Sequence, residues 1–211
     1  MTNFTEKIRS VPVTTIIALV LIIVGLIIMV PRAMGMWSFY SEVRYATENN
    51  FQAGNISPDL LRPWMSLRYI SVAFAVPQKF LFDFTKIQPR KETSMIAINR
   101  LNRQLNLGQV DGQPKLMKTI KTAILAYRAN PVVTGLIEGH VEEWMNVAYI
   151  ANSTGIPAAT ILNQAGIPTD GNSYKPLGFL SNEFHYSGGT RALVAAIQKI
   201  VDSQAATPVA P

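Results

Sequence analysis

Hydrophobic positions along this chain fall into two regimes. From Val11 to Val30 the sequence reads VPVTTIIALVLIIVGLIIMV, a run without a single charge. About 20 residues at 1.5 Å rise each cross ~30 Å of hydrocarbon, so the run predicts a transmembrane helix over 11–31. Beyond it, apolar residues return at helical spacing and never alternate with period two over a useful length, which argues against strands. Leu67, Ile70, Ser71 and Phe74 lie at i, i+3, i+4 and i+7; Ser66 stands before them as a cap. Val76-Pro77 interrupts the stripe, because a residue before proline is pushed out of the helical region while proline starts the next helix well. Phe80, Leu81 and Phe84 then resume it. The pattern is helix, tight turn, helix.

The same pattern recurs eighty residues later. Trp64 to Ile87, WMSLRYISVAFAVPQKFLFDFTKI, aligns without a gap to Trp144 to Ile167, WMNVAYIANSTGIPAATILNQAGI. Six columns are identical: Trp64/Trp144, Met65/Met145, Tyr69/Tyr149, Ile70/Ile150, Pro77/Pro157 and Ile87/Ile167. Gly155 is a natural helix C-cap, and Ala75 takes its place in the first copy. Each copy has a second half. Helical stretches 96–107 and 115–128 are joined by DGQP; stretches 174–186 and 191–201 are joined by SGGT, with Thr190 as the expected N-cap. Internal self-similarity of this kind is the signature of a repeated structural unit. The expected fold is all-α: one N-terminal transmembrane helix, then two tandem helix-turn-helix-like units of about four short helices each.

The expected organisation is an N-terminal tail (1–10), the span (11–31), and a juxtamembrane helix and linker (32–57) whose end is marked by Ser57-Pro58, a cap and first turn. Unit 1 covers 58–130, unit 2 covers 138–202, and an Ala/Pro-rich tail (203–211) is expected to be disordered. Arg32, Trp37, Phe39 and Tyr40 suit the membrane interface. A cleaved signal peptide is the alternative for the apolar run, favoured by Lys7 and Arg9 before it. Its length argues otherwise, and the only small-residue pair at a cleavage spacing, Ala33 and Gly35, sits beside Arg32. Lys7 and Arg9 on one side nearly balance Arg32 and Arg44 on the other; the free amino terminus tips the expectation to a single-pass protein with a cytoplasmic N-terminus and the bulk outside.

The two copies together resemble the helix-turn-helix-like, trihelical segment appended to some bacterial membrane electron-transfer proteins of the cytochrome-b-like and polyferredoxin-associated kind. The shared features are the Trp-Met opening, the Ile before a Val/Ile-Pro turn, and the Leu or Ile in the following helix. The resemblance implies an accessory domain near membrane complexes. No haem or iron–sulfur ligand pattern accompanies it, so no cofactor is implied.

Charge divides the copies. Residues 60–130 hold twelve basic and three acidic residues, net +9, whereas 138–202 hold three basic and six acidic, net −3. Lys79, Lys86, Arg90, Lys91, Arg100, Arg103, Lys115, Lys118 and Lys121 form the candidate interaction surface. Its expected partners are a protein in a membrane complex and anionic lipid headgroups. Nucleic acid ranks last, because the helix after Pro77 offers Phe80, Leu81, Phe82 and Phe84 rather than the Arg, Asn and Gln that read base edges. A membrane-anchored DNA-binding regulator is accordingly the second reading.

Candidate catalytic chemistry is thin. There are two histidines and no cysteine, which removes disulfides, thiolate ligands and cysteine nucleophiles. His140 lies in Glu138-Gly139-His140-Val141-Glu142-Glu143, which reads as a solvated acidic turn before a helix, and no second ligand cluster accompanies it. Trp64 and Trp144, recurring with Met65/Met145 and Tyr69/Tyr149, are expected to close the small cores. The chain reads as a non-catalytic interaction or assembly module without catalytic, metal or cofactor sites.

Overall fold

A side-chain cap opens each copy. Ser66 accepts a hydrogen bond from the Tyr69 amide and starts α1 (Leu67–Ala73); Asn146 does the same for the Tyr149 amide and starts α6 (Val147–Thr154). The computed structural model describes residues 45–46, 48–51, 54, 56–135, 137 and 139–205. The expected span at 11–31, its interface residues Arg32, Trp37, Phe39 and Tyr40, and the tail from 206 lie outside them. Among the described residues no helix is long and apolar enough to cross a membrane. The chain divides into two compact units between Glu48 and Asn49, and both copies belong to the second.

In the first copy, Ser57-capped Pro58–Leu60 forms one 3-10 turn, followed by α1, α2 (Gln78–Thr85), α3 (Lys91–Met95) and α4 (Ile98–Gln104). A hairpin of β1 (Gln109–Val110) and β2 (Gln113–Pro114) then leads into α5 (Lys115–Ala129). The second copy is α6, α7 (Ala158–Gln164), α8 (Leu177–Glu183) and α9 (Gly189–Ala205). The architecture is thus mostly helical, as the spacing predicts. Three details differ. DGQP is a hairpin, because Asp111 and Gly112 both take positive φ (55° and 73°) and so form the two-residue turn that matches strand twist. Lys91–Met95 adds a fifth α-helix to the first copy. The last helix starts at Gly189, so Thr190 lies inside its first turn, and it runs past Val201 to Ala205.

Equivalent backbone bonds hold both copies. The Ile98 amide donates to the Met65 carbonyl and the Asn99 amide to Pro63; in the second copy Leu177 donates to Met145 and Gly178 to Glu143. A one-bridge ladder, Ser66 with Ala97 and Asn146 with Pro176, sits beside each. Offsets therefore run at 80 and then 79. After the hairpin the buried stripe of α5, Ile120, Ile124 and Tyr127, matches Leu193, Ile197 and Ile200 of α9 at an offset of 73. The hairpin is a six-residue insertion between two otherwise like helices.

The interior of the second copy gathers Met145, Val147, Tyr149, Ile150, Ile161, Leu162, Leu177, Leu180, Leu193 and Ile197, with Val72 of the first copy packed against it. The first copy buries the matching Met65, Leu67, Ile70, Leu81, Phe82, Ile98 and Leu101. Trp144 packs against the core of the second copy as expected, whereas Trp64 lies at the rim of the first. Trp64 is 36% exposed with its ring on Tyr69 at 5.4 Å, and Trp144 is half-buried under the Arg68 guanidinium at 4.8 Å. An indole this large fits the rim of a unit whose centre is filled by Met and Ile.

Candidate interaction surface and the junction between copies

Nine cations were expected to form the interaction surface. Three of them are engaged by carboxylates. Lys79 pairs with Asp83 at 2.6 Å one helical turn on, Lys118 with Asp111 at the hairpin tip at 3.3 Å, and Lys121 with Asp59 across 62 residues of sequence. The Lys121 hydrogen bond, aided by the Ser57 hydroxyl, holds the Asp59 carboxyl below its usual range. The remaining six, Lys86, Arg90, Lys91, Arg100, Arg103 and Lys115, are exposed and make no ion pair among the described residues.

Local structure places these six in three groups. Lys86 ends α2 in the left-handed conformation (φ 56°), and Arg90 and Lys91 open α3 four residues later. Arg100 and Arg103 lie three apart on α4, hence on one exposed face, while Leu101 and Asn102 between them turn inward. Lys115 is the first residue of α5. The second copy has a sparser display, with Arg191 and Lys199 on α9 exposed and without an ion pair among the described residues. Its Lys175 is half-buried, bonded to the Glu183 carboxylate at 2.8 Å. Charge divergence read from sequence is thus a divergence of exposed, unpaired side chains.

Sequence reasoning missed the junction between the copies. Asn146 caps α6 with its carbonyl oxygen and donates its Nδ2 to the Val72 carbonyl at 2.9 Å; Asn152 Nδ2 donates to the Ala75 carbonyl at 2.6 Å. Val72 is the next-to-last residue of α1 and its carbonyl also accepts from the Ala75 amide, while Ala75 lies just beyond the helix end. The corresponding first-copy residues are Ser66 and Val72, which cannot make this contact. That Ser/Asn and Val/Asn mismatch between aligned copies was the only signal available. Within the first copy and the segment leading into it, Arg128 donates to the Ile56 carbonyl at 2.8 Å and lies over the Phe74 ring. Burial lowers its pKa.

A groove of about 410 Å³ opens beside this junction, lined by Tyr127, Val133, Asn152, Gly155, Pro157 and Tyr174 among others. Burial raises the Tyr127 phenol above its usual value. His140 and His185 are both exposed, and His185 takes φ 46° at the end of α8. No group of three or more His, Asp or Glu among the described residues converges on a metal-sized site. Comparison with protein-family models, with curated proteins and with solved structures found no match.

Proposed function

We propose that this chain is a membrane-anchored, non-catalytic interaction module, serving as an accessory subunit of a bacterial membrane complex. The observation that carries the reading is the contrast between copies. Their interiors and backbone bonds correspond, while exposed cations without an ion pair among the described residues number six on the candidate surface of the first copy against two, Arg191 and Lys199, on the second. Duplicated packing with divergent surface favours recognition by one copy and scaffolding by the other. A protein partner would use Arg100 and Arg103, since planar guanidinium forks pair with carboxylates at two points, with the Lys115 ammonium as a further point charge. The helix-turn-helix shape alone does not favour DNA. Lys79 on α2 is held by Asp83, and Asn163 and Gln164 stand at the C-terminal end of α7 rather than at the N-terminal end that meets base edges.

Extraction of native membranes in mild detergent tests this. The chain is expected to migrate as part of a larger assembly on native gels, and Arg100→Glu with Arg103→Glu is expected to release it. Migration as free chain in every mild detergent would sink the accessory-subunit reading. Salt-sensitive retention of duplex DNA by the full chain would replace it with the regulator reading.

A further inference from the structure

The edge running from the end of α2 to the end of α3 gathers exposed cations and exposed apolar side chains; in the second copy the exposed Phe179 ring lies under Lys175, whose charge Glu183 already engages. Phe84 is 37% and Met95 51% exposed, and between them stand Lys86, Arg90 and Lys91 against one carboxylate, Glu92. Phe84 keeps one side on Phe80, whose ring in turn meets Tyr127, so its free face is held outward by packing beneath it. The Lys86 backbone is fixed too, its amide donating to the Asp83 carbonyl. In the second copy, 164–175 replaces Phe84 by Gln164 and Lys86 by Gly166, carries Asp170, and has its one cation bonded to Glu183. The corner that gained cations therefore also gained exposed aromatic and thioether groups.

We infer that this edge, residues 84–95, rests on anionic phospholipid headgroups, with Phe84 and Met95 entering the headgroup boundary and Lys86, Arg90 and Lys91 pairing with phosphates. Cations flanked by large apolar side chains are the composition of membrane-surface contacts. The groove near Gly155 shares no residue with this edge. The inference rests on the membrane reading above, because an apolar run at 11–30 in the same chain would hold the edge at high local concentration beside lipid.

The chain has no cysteine, so single probes can be placed cleanly. Met95→Cys and, as control, Asn163→Cys of the full chain would each carry an environment-sensitive fluorophore and be mixed with or reconstituted into vesicles. Neutral phosphatidylcholine would be compared with a phosphatidylglycerol mixture. The probe at 95 is expected to shift to the blue and be quenched by a doxyl-labelled lipid only in the anionic vesicles, while the probe at 163 stays unmoved. Raising salt from 0.1 to 1 M shortens the screening length from about 10 to 3 Å and is expected to abolish the shift. So is Lys86→Asn, which tolerates the left-handed backbone, combined with Arg90→Glu and Lys91→Glu. A probe at 95 indifferent to lipid charge overturns the inference, and crosslinking of that probe to a polypeptide in native membranes would assign the edge to a protein instead. Failure of the anchor reading is distinguishable, since the chain would then not float with neutral vesicles.

Discussion

Asn102 and Ser181 occupy the same place in the two copies and show what one buried polar side chain can do. Asn102 donates to the Gly108 carbonyl at 2.8 Å and accepts from the Leu116 amide at 2.9 Å, tying α4 to both sides of the hairpin. Ser181, equally buried, has a hydroxyl without a partner among the described residues. Asn102→Ala leaves the buried Leu116 amide without its acceptor, while the exposed Gly108 carbonyl keeps the Lys115 amide, and is expected to cost about 1–3 kcal/mol. Ser181→Ala removes an unmet hydroxyl and is expected to be neutral or slightly stabilising. Denaturant melts of the pair check this. The left-handed turn gives a second contrast. At Gly155 (φ 83°) an added Cβ would meet Val133 Cγ1 at 3.1 Å, so Gly155→Ala is expected to cost about 1–2 kcal/mol. Ala75 (φ 51°) already bears that strain with its methyl buried. Ala75→Gly relieves ~1 kcal/mol of strain but gives up ~0.8 kcal/mol of burial, so its midpoint is expected to stay put. Tyr127 titrates above an ordinary tyrosine because burial disfavours its anion. A raised pKa in the fold means a contribution fully present below pH ~10 and lost as pH rises through the folded value. Tyr127→Phe is therefore expected to lessen the alkaline loss of stability, read by melts across pH 9–12.

At the scale of elements, most of the fold is legible because both copies bury the same stripe. Leu67/Val147, Ile70/Ile150, Leu81/Ile161 and Leu101/Leu180 are each fully or almost fully buried. The spacing of such residues reports which face of a helix turns inward, and the caps at Ser66 and the break at Pro77 report where it starts. The hairpin was written in Val110-Asp111-Gly112-Gln113, but two-residue strands show no alternation to find. Spacing is silent on what a buried face meets. The donors Asn146 and Asn152 therefore could not be placed, nor could the Lys121–Asp59 pair, whereas Lys79–Asp83, four apart on one helix, can be read directly. Asn146→Ser keeps the helix cap, as Ser66 shows, and deletes only the bond to Val72. It is expected to cost about 1 kcal/mol in thermal or denaturant melts without loss of helicity.

The unit from Asn49 onward contains both copies with Val72, Asn146 and Asn152 joining them, and so is expected to unfold in one step. Trp64 reports the first copy, where it meets Tyr69, and Trp144 reports the second copy where it meets Arg68 of the first. With Trp37 and one of these replaced by phenylalanine, the two single-tryptophan chains are expected to share one denaturation midpoint. Midpoints that separate would show copies folding independently. Two like units are joined through unlike faces, the end of α1 on one and the asparagines of α6 on the other, and Ser66 and Val72 leave the first copy without that donor face. In the second copy the corresponding helix end is already taken, with Thr134 Oγ1 donating to the Ser153 carbonyl and Val133 lying against Gly155. The connecting segment thus does for the second copy what the second copy does for the first: it covers the end of the opening helix, so the same helix end is sealed twice by different parts of one chain.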